Sequence, residues 1–237
     1  MTHWVRGHFN AGRYIRPYIR RNPGSSGGSG GGGVPVVVAV AVAAGLAVTI
    51  GAVAWASLRA APDRTPPRPI MDQAQAKTQR VTSNLDNVKV RWRDKYYQID
   101  FYTDLNTDCV AHSYGKVQNF FTSDDCVYLI RASGEFRNQS RNVILASFSW
   151  VEMPTTDEAT RLLKLVDAAG TGNVTELSRE TGRHRSVRYT GQSYISDINK
   201  QAVWNAQVQP VGWAPAPALL DEIRDDVLNA ALEGAKS

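Results

Sequence analysis

Apolar and polar positions divide this chain unevenly. Residues 34–58, VPVVVAVAVAAGLAVTIGAVAWASL, run for 25 positions without a charge. About 20 consecutive apolar residues suffice for a helix to cross the hydrocarbon core of a bilayer, so this run is expected to form one transmembrane helix. The remaining segments are placed by it. Residues 1–21 are a basic tail and 22–33 (NPGSSGGSGGGG) a disordered N-terminal linker with nothing to bury. Residues 59–86 are a Pro-rich and polar spacer, and 87–237 a folded domain.

Within the spacer, residues 71–88 read as a loose, polar helix. In the domain, Tyr97, Ile99 and Phe101 alternate with Gln98 and Asp100, the period of a half-buried strand. From Cys109 the period lengthens: Val110, Tyr114, Val117 and Phe121 fall at helical intervals, with Asp108 placed to cap the start. Residues 127–136 and 142–153 are β-branched and aromatic runs separated by polar Asn138 to Arg141, a hairpin signature. After Pro154, Thr155 or Thr156 caps a helix whose first turn holds Asp157 and Glu158, and Ala159, Leu162, Leu163 and Val166 form its apolar stripe. Gly170-Thr-Gly172-Asn173 ends it. Residues 187–195 and 201–209 read as strands, with Ala202, Trp204, Ala206 and Val208 on one face. Pro215-Ala-Pro217 opens a last helix with Leu219, Leu220, Ile223 and Val227 on its buried side, stopped at Gly234. The order predicts an α+β fold following one transmembrane helix: an antiparallel sheet with helices on one face, in the split β-α-β-β-α-β, ferredoxin-like arrangement.

Charge orients the chain. The formal net charge is +5, and residues 1–33 supply all of it through Arg6, Arg13, Arg16, Arg20 and Arg21 with no acid. The rest balances 22 basic against 22 acidic residues, which disfavours nucleic acid as the domain's partner, since such surfaces cluster excess base. Basic flanks stay in the cytoplasm. The N-terminus is therefore expected inside, with Arg13, Arg16, Arg20 and Arg21 near the membrane, and the domain outside a cell membrane that it anchors to by a single pass. A cleaved signal peptide is the competing reading, and both export the domain. Ala39, Ala43, Ala47 and Gly51 put small side chains on one face of the span, a pattern that permits a homo-oligomer.

Cys109 and Cys126 are the only cysteines. In an oxidising compartment an even pair reads first as a disulfide, with two separate buried thiols as the alternative. A helix filling the interval would hold the ends too far apart, so the chain after Phe121 must double back. In the tail, Val5-Arg6-Gly7 and Gly12-Arg13-Tyr14-Ile15-Arg16-Pro17 resemble a small motif scattered through bacterial exported and surface proteins. In the domain, Cys109-x-x-His112-x-Tyr114-Gly115, Cys126 and the run Gly170-Thr-Gly-Asn-Val-Thr-Glu-Leu177 resemble a group of uncharacterised, single-span exported proteins of actinobacteria. The likeness covers residues 96–178 and implies the same topology and a disulfide, with no activity attached.

Candidate chemistry is sparse. His112, Cys109 and Cys126 lack the ligand number and spacing of a zinc site, and no metal or other cofactor is expected. His112 and His184 are the domain's histidines, and no G-x-S-x-G turn accompanies them. The acidic pairs Asp124-Asp125 and Asp225-Asp226 fall where a loop and a solvated helix face are expected. Asn138-Gln-Ser140 and Asn173-Val-Thr175 match the glycosylation acceptor pattern. Arg179, Arg183, Arg185 and Arg188 stand against Glu180 in one short segment, and arginine forks suit phosphate or carboxylate, so this segment is the candidate anion-binding site. The function expected is non-catalytic binding of a partner protein or an envelope ligand, beside the lipid bilayer. An enzyme acting on envelope material, and a cytoplasmic tail recruiting nucleic acid or protein, are the alternatives.

Overall fold

The computed structural model describes residues 66–236 in full, and the backbone of four short segments between Thr2 and Arg21. The chain divides into a unit Met1–Arg64 and a unit Thr65–Ser237. In the first, β1 (Thr2–Val5) pairs antiparallel with β4 (Tyr18–Arg21), and β2 (His8–Asn10) with β3 (Arg13–Ile15). The apolar run 34–58, with its Ala39, Ala43, Ala47 and Gly51 stripe, lies outside the described residues. No described helix is long and apolar enough to cross a membrane.

The second unit begins with α1 (Arg68–Arg93), where the sequence suggested a spacer reaching residue 86. Pro69 sits in its first turn, where a missing N–H costs nothing, and Arg91 and Arg93 complement the dipole in its last. Its buried residues Ala74, Val81, Leu85, Val88 and Trp92 recur at intervals of three, four or seven, one face of a helix. These residues join the larger core, so α1 packs with the domain expected from Asn87 onward.

Next come β5 (Gln98–Asn106), α2 (Gly115–Ser123), β6 (Tyr128–Arg137), β7 (Val143–Glu152), α3 (Thr156–Val166), the single turn α4 (Leu177–Glu180), β8 (Ser193–Asn199), β9 (Ala202–Val211) and α5 (Pro217–Lys236). The strands form one sheet in the order β5-β6-β7-β9-β8, and every neighbouring pair is antiparallel. The fold is thus α+β with a five-stranded antiparallel sheet. The ferredoxin-like order does not occur. That order needs the chain to cross over after its first helix, whereas here β5 and β6 are neighbours. A disulfide joins Cys109, three residues past β5, to Cys126, two before β6, with Cα atoms 6.1 Å apart. The intervening chain, including nine-residue α2, is therefore an excursion that returns to its starting edge. The helix also starts later than expected: Asp108 Oδ1 accepts from the Ala111 amide at 2.8 Å and caps an isolated turn, not α2.

Helices cover both faces of the sheet, not one. Alternation sends Tyr128, Ile130, Ala132 and Phe136 of β6, Ile144, Ala146, Phe148 and Trp150 of β7, and Ala202, Trp204, Ala206 and Val208 of β9 to one side. There they form the larger core with α1 and α5. Gly134 leaves room for Phe101 across the pair of strands; a Cβ would lie 2.4 Å from that ring. The α5 helix runs through Gly234 rather than ending there, because that glycine is where α5 meets α1: a Cβ would sit 2.6 Å from the Val81 amide nitrogen. Trp92 Nε1 donates to Asp226 Oδ2 at 2.8 Å and ties the same two helices a second time.

On the opposite face, Leu129, Val151, Met153 and Val203 pack against α2 and α3 with the disulfide, a second core confined to one end of the sheet. The α3 helix follows its sequence signals. Thr155 Oγ1 accepts from the Glu158 amide at 3.2 Å and donates to Glu158 Oε2 at 2.8 Å, and the stripe Ala159, Leu162, Leu163 and Val166 is buried.

Candidate binding site

Beyond that second core the sheet face turns polar. Arg131 and Ser133 of β6, Ser147 and Ser149 of β7, and Asn205 and Gln207 of β9 are all buried there. What covers them is the chain between α3 and α4, and β6, β8 and β9 hold it by side chains. Tyr194 Oη donates to the Val166 carbonyl at 3.4 Å, and Ser196 donates to Asp167. Asn205 Nδ2 donates to Asn173 Oδ1 at 3.1 Å and Gln207 Nε2 to Glu176 Oε1 at 2.7 Å. Arg131 Nη1 donates to the Thr175 carbonyl at 3.0 Å. Burial pushes the Tyr194 phenol well above its ordinary range.

The same covering segment pairs with the run before α2. Tyr114 N donates to the Asn173 carbonyl at 3.0 Å, Thr175 N to His112 at 2.8 Å, and Lys116 N to Thr171 at 2.6 Å. Gly172, at φ 95°, makes this approach possible; a Cβ there would lie 2.0 Å from the Tyr114 carbonyl oxygen. The two sequence runs 109–115 and 170–177 are therefore one structural unit.

Its product is a quartet around Arg131, whose side chain is 2 % exposed. Nη1 and Nη2 donate to the two oxygens of Glu180 at 2.7 and 2.8 Å, and Nη2 also donates to Asp104 Oδ2 at 2.6 Å. His112 Nδ1 lies 3.0 Å from Glu180 Oε1 and 3.1 Å from Arg131 Nη2. The guanidinium only donates, so Nδ1 donates to Glu180 in one tautomer and accepts from Arg131 Nη2 in the other. Burial, the largest single effect, would raise the Glu180 carboxyl, but hydrogen bonds from Arg131 and His112 together outweigh it and hold it below the usual range.

Past Glu180 the chain reaches a cleft of about 800 Å³ at the end of the sheet where α1, β5 and the β6–β7 turn meet. Arg93, Arg137, Arg141 and Arg183 line it, with His184, Tyr96 and Tyr97. No carboxylate does. Glu135, mostly buried beneath, accepts from Arg137 Nη2 at 2.6 Å and from Arg183 Nη2 at 2.5 Å and Nε at 3.1 Å, and so aims two of the four forks. His184 Nε2 stands 3.4 Å from the same carboxylate without a hydrogen bond. Arg93 and Arg141 are exposed, and neither has an ion-pair or hydrogen-bonding side-chain partner among the described residues.

The arginines singled out in the sequence are thus dispersed. Only Arg183 enters the cleft. Arg179 stacks 5.0 Å from the Tyr114 ring centroid and pairs with Glu176, while Arg188 Nη1 donates to the Arg185 carbonyl. Arg93, Arg137 and Arg141 were not anticipated, because they lie on α1, β6 and the β6–β7 turn, 42 or more residues from Arg183 in sequence. Of the acidic pairs, Asp124 holds the exposed Arg161, and the half-exposed Asp225 holds the buried guanidinium of Arg224. The Asn173 acceptor is buried and occupied by Asn205 and the Val174 amide, which leaves no room for a glycan. No group of His, Cys, Asp and Glu among the described residues is arranged to hold a metal ion. Arg13, Arg16, Arg20 and Arg21 belong to the separate N-terminal unit. Comparison with protein-family models, curated proteins and solved structures finds nothing that matches this chain.

Proposed function

We propose that this chain is a single-pass membrane protein, N-terminus inside, that holds its α+β domain outside the cell membrane, where it binds an anionic envelope ligand without catalysis. The observation that carries the reading is the cleft: four arginines, two of them without a partner among the described residues, and no carboxylate in its wall. Such a surface takes up phosphate or carboxylate through paired N–H donors, and its volume is that of ordinary ligand sites. Binding is favoured over reaction because the wall is dominated by guanidinium groups, which hold an anion and do not exchange protons at neutral pH. The disulfide supports export, since such bridges persist in oxidising compartments.

The test uses the full-length protein in detergent micelles and isolated envelope fragments. Wild type is expected to co-sediment with the fragments and to be released by salt, and the double variant Arg93→Ala/Arg141→Ala to stay in the supernatant. Equal sedimentation of the two would reject the cleft as the binding site. For topology, a domain-specific protease added to intact cells is expected to remove the 65–237 unit, and its survival there would reject export.

A further inference from the structure

Resting on that reading, we infer that the cleft recognises an acidic sugar, its ring against Tyr96 and its phosphate or carboxylate against Arg93 and Arg141. Three described residues other than glycine have positive φ: Tyr96 at 63°, Arg141 at 64° and Lys200 at 56°. Two of the three line the cleft, from separate turns. Tyr96 follows the C-terminus of α1, its amide donating to the Arg93 carbonyl at 2.9 Å, and Arg141 closes the β6–β7 hairpin, its amide donating to Asn138 at 2.9 Å. Both are positions where glycine adopts the left-handed backbone without strain and a large side chain does not. A chain that keeps a tyrosine and an arginine there has side chains to display. Strain of this kind clusters where ligands bind.

What is displayed defines the ligand. The Tyr96 ring is 71 % exposed, while its neighbour Tyr97 packs edge-on against Trp92, centroids 5.3 Å apart, and belongs to the core. An exposed ring presents an apolar face to the C–H side of a sugar, as an amphipathic side chain does at interfaces. Gln98, Asn138 and Gln139 add amide donors and acceptors in reach of hydroxyl groups. Arg93 and Arg141 supply the charge. A single strand of nucleic acid would also stack on Tyr96, but it is held by a groove that follows many phosphates. Here the basic wall is one cleft on a domain whose charges otherwise balance.

The experiment is calorimetric titration of the full-length protein in nanodiscs with tetragalacturonate, glucose 1-phosphate, cellotetraose, inorganic phosphate and oligo(dT). At least one of the two acidic sugars is expected to bind ten-fold or more tighter than either inorganic phosphate or cellotetraose, and the tighter of the two identifies the acid group. Tyr96→Gly is expected to weaken that binding ten-fold or more while the melting temperature stays equal or rises, because glycine relieves the backbone. Tyr96→Phe keeps the ring and is expected to keep the affinity. Phosphate binding as tightly as the sugars, or Tyr96→Gly binding like wild type, overturns the sugar while leaving the anion cleft intact. Tighter binding of oligo(dT) than of either sugar overturns it too. If Arg93→Ala/Arg141→Ala binds the sugars as wild type does, the cleft itself is wrong and both readings fall.

Discussion

Glu180 presents both carboxylate oxygens to the guanidinium of Arg131, at 2.7 and 2.8 Å, from a segment 49 residues further along the chain. This pair closes the polar face of the sheet. Arg131 cannot be hydrated where it lies, so its donors must be met by protein, and Glu180, Asp104 and the Thr175 carbonyl meet them. Meeting them is what brings α4 down on the sheet and sets the direction of the chain toward Arg183 and the cleft.

Removing the arginine should therefore do more than remove charge. Arg131→Met in the 65–237 unit is expected to lose about 3 kcal/mol of stability, read from urea denaturation. Hydrogen exchange should rise along residues 171–182 before it rises in β6 or β7. Uniform exchange across the unit would show that the pair does not hold that segment.

The same pair makes stability depend on pH. Glu180 is held below the usual carboxylate range in the folded protein, so it stabilises above the unfolded carboxyl value, about 4.3, and that contribution is lost as pH falls through the lower folded value. Glu180→Gln is expected to be less stable than wild type at pH 7, and the difference to shrink as pH falls below the unfolded carboxyl value of about 4.3. A stability difference that stayed constant from pH 7 to pH 3 would contradict the coupling.

The two glycines of the covering segment separate strain from collision. Both have positive φ, 77° at Gly170 and 95° at Gly172, but a Cβ at Gly170 meets nothing within 4 Å, while at Gly172 it strikes the Tyr114 carbonyl. Gly170→Ala is expected to cost about 1 kcal/mol for the backbone alone. Gly172→Ala should cost clearly more, because the Tyr114–Asn173 pairing must open, and thermal melts of the two variants would rank them. Equal melting temperatures would mean that the close approach is not maintained in solution.

Reduction of Cys109–Cys126 is expected to lower stability by about 3 kcal/mol, the usual value for a loop of this size. Mass after reduction and alkylation, compared with alkylation alone, should differ by two alkyl groups, and the reduced sample should melt lower. The loss should fall on α2 and its contacts with α3, where Cys109 and Cys126 are part of the core. Identical masses would show that no bridge forms.

Local chemistry was legible along the chain wherever a neighbour supplies the partner. The α3 helix declared itself through Thr155, Glu158 and the stripe Ala159 to Val166, the β6–β7 hairpin through its polar turn, and β9 through the alternation of Ala202, Trp204, Ala206 and Val208. The α1 helix was under-read because polar residues surround its buried positions, although Ala74, Val81, Leu85, Val88 and Trp92 carry the helical interval for those who count it. The strand expected over 187–195 begins only at Ser193, since before it the chain meets β9 through a side chain, the Thr190 amide donating to Gln209 Oε1, instead of through the backbone ladder. His112 and Arg183 were visible as candidates, but not as members of two different sites.

The sequence by itself determined the elements, the cysteine pair and the apolar run on which the membrane reading stands, because periods of two and 3.6 residues, caps and turn residues act between near neighbours. Only the tertiary structure decided that helices occupy both faces of the sheet, that β5 and β6 lie side by side, and that Arg93, Arg137, Arg141 and Arg183 share one cleft. Those outcomes depend on strand order and on the Gly234 and Gly172 approaches, where backbones distant in sequence come within van der Waals reach. Contacts of that kind leave no periodic trace in the chain, since each is one residue meeting another far away.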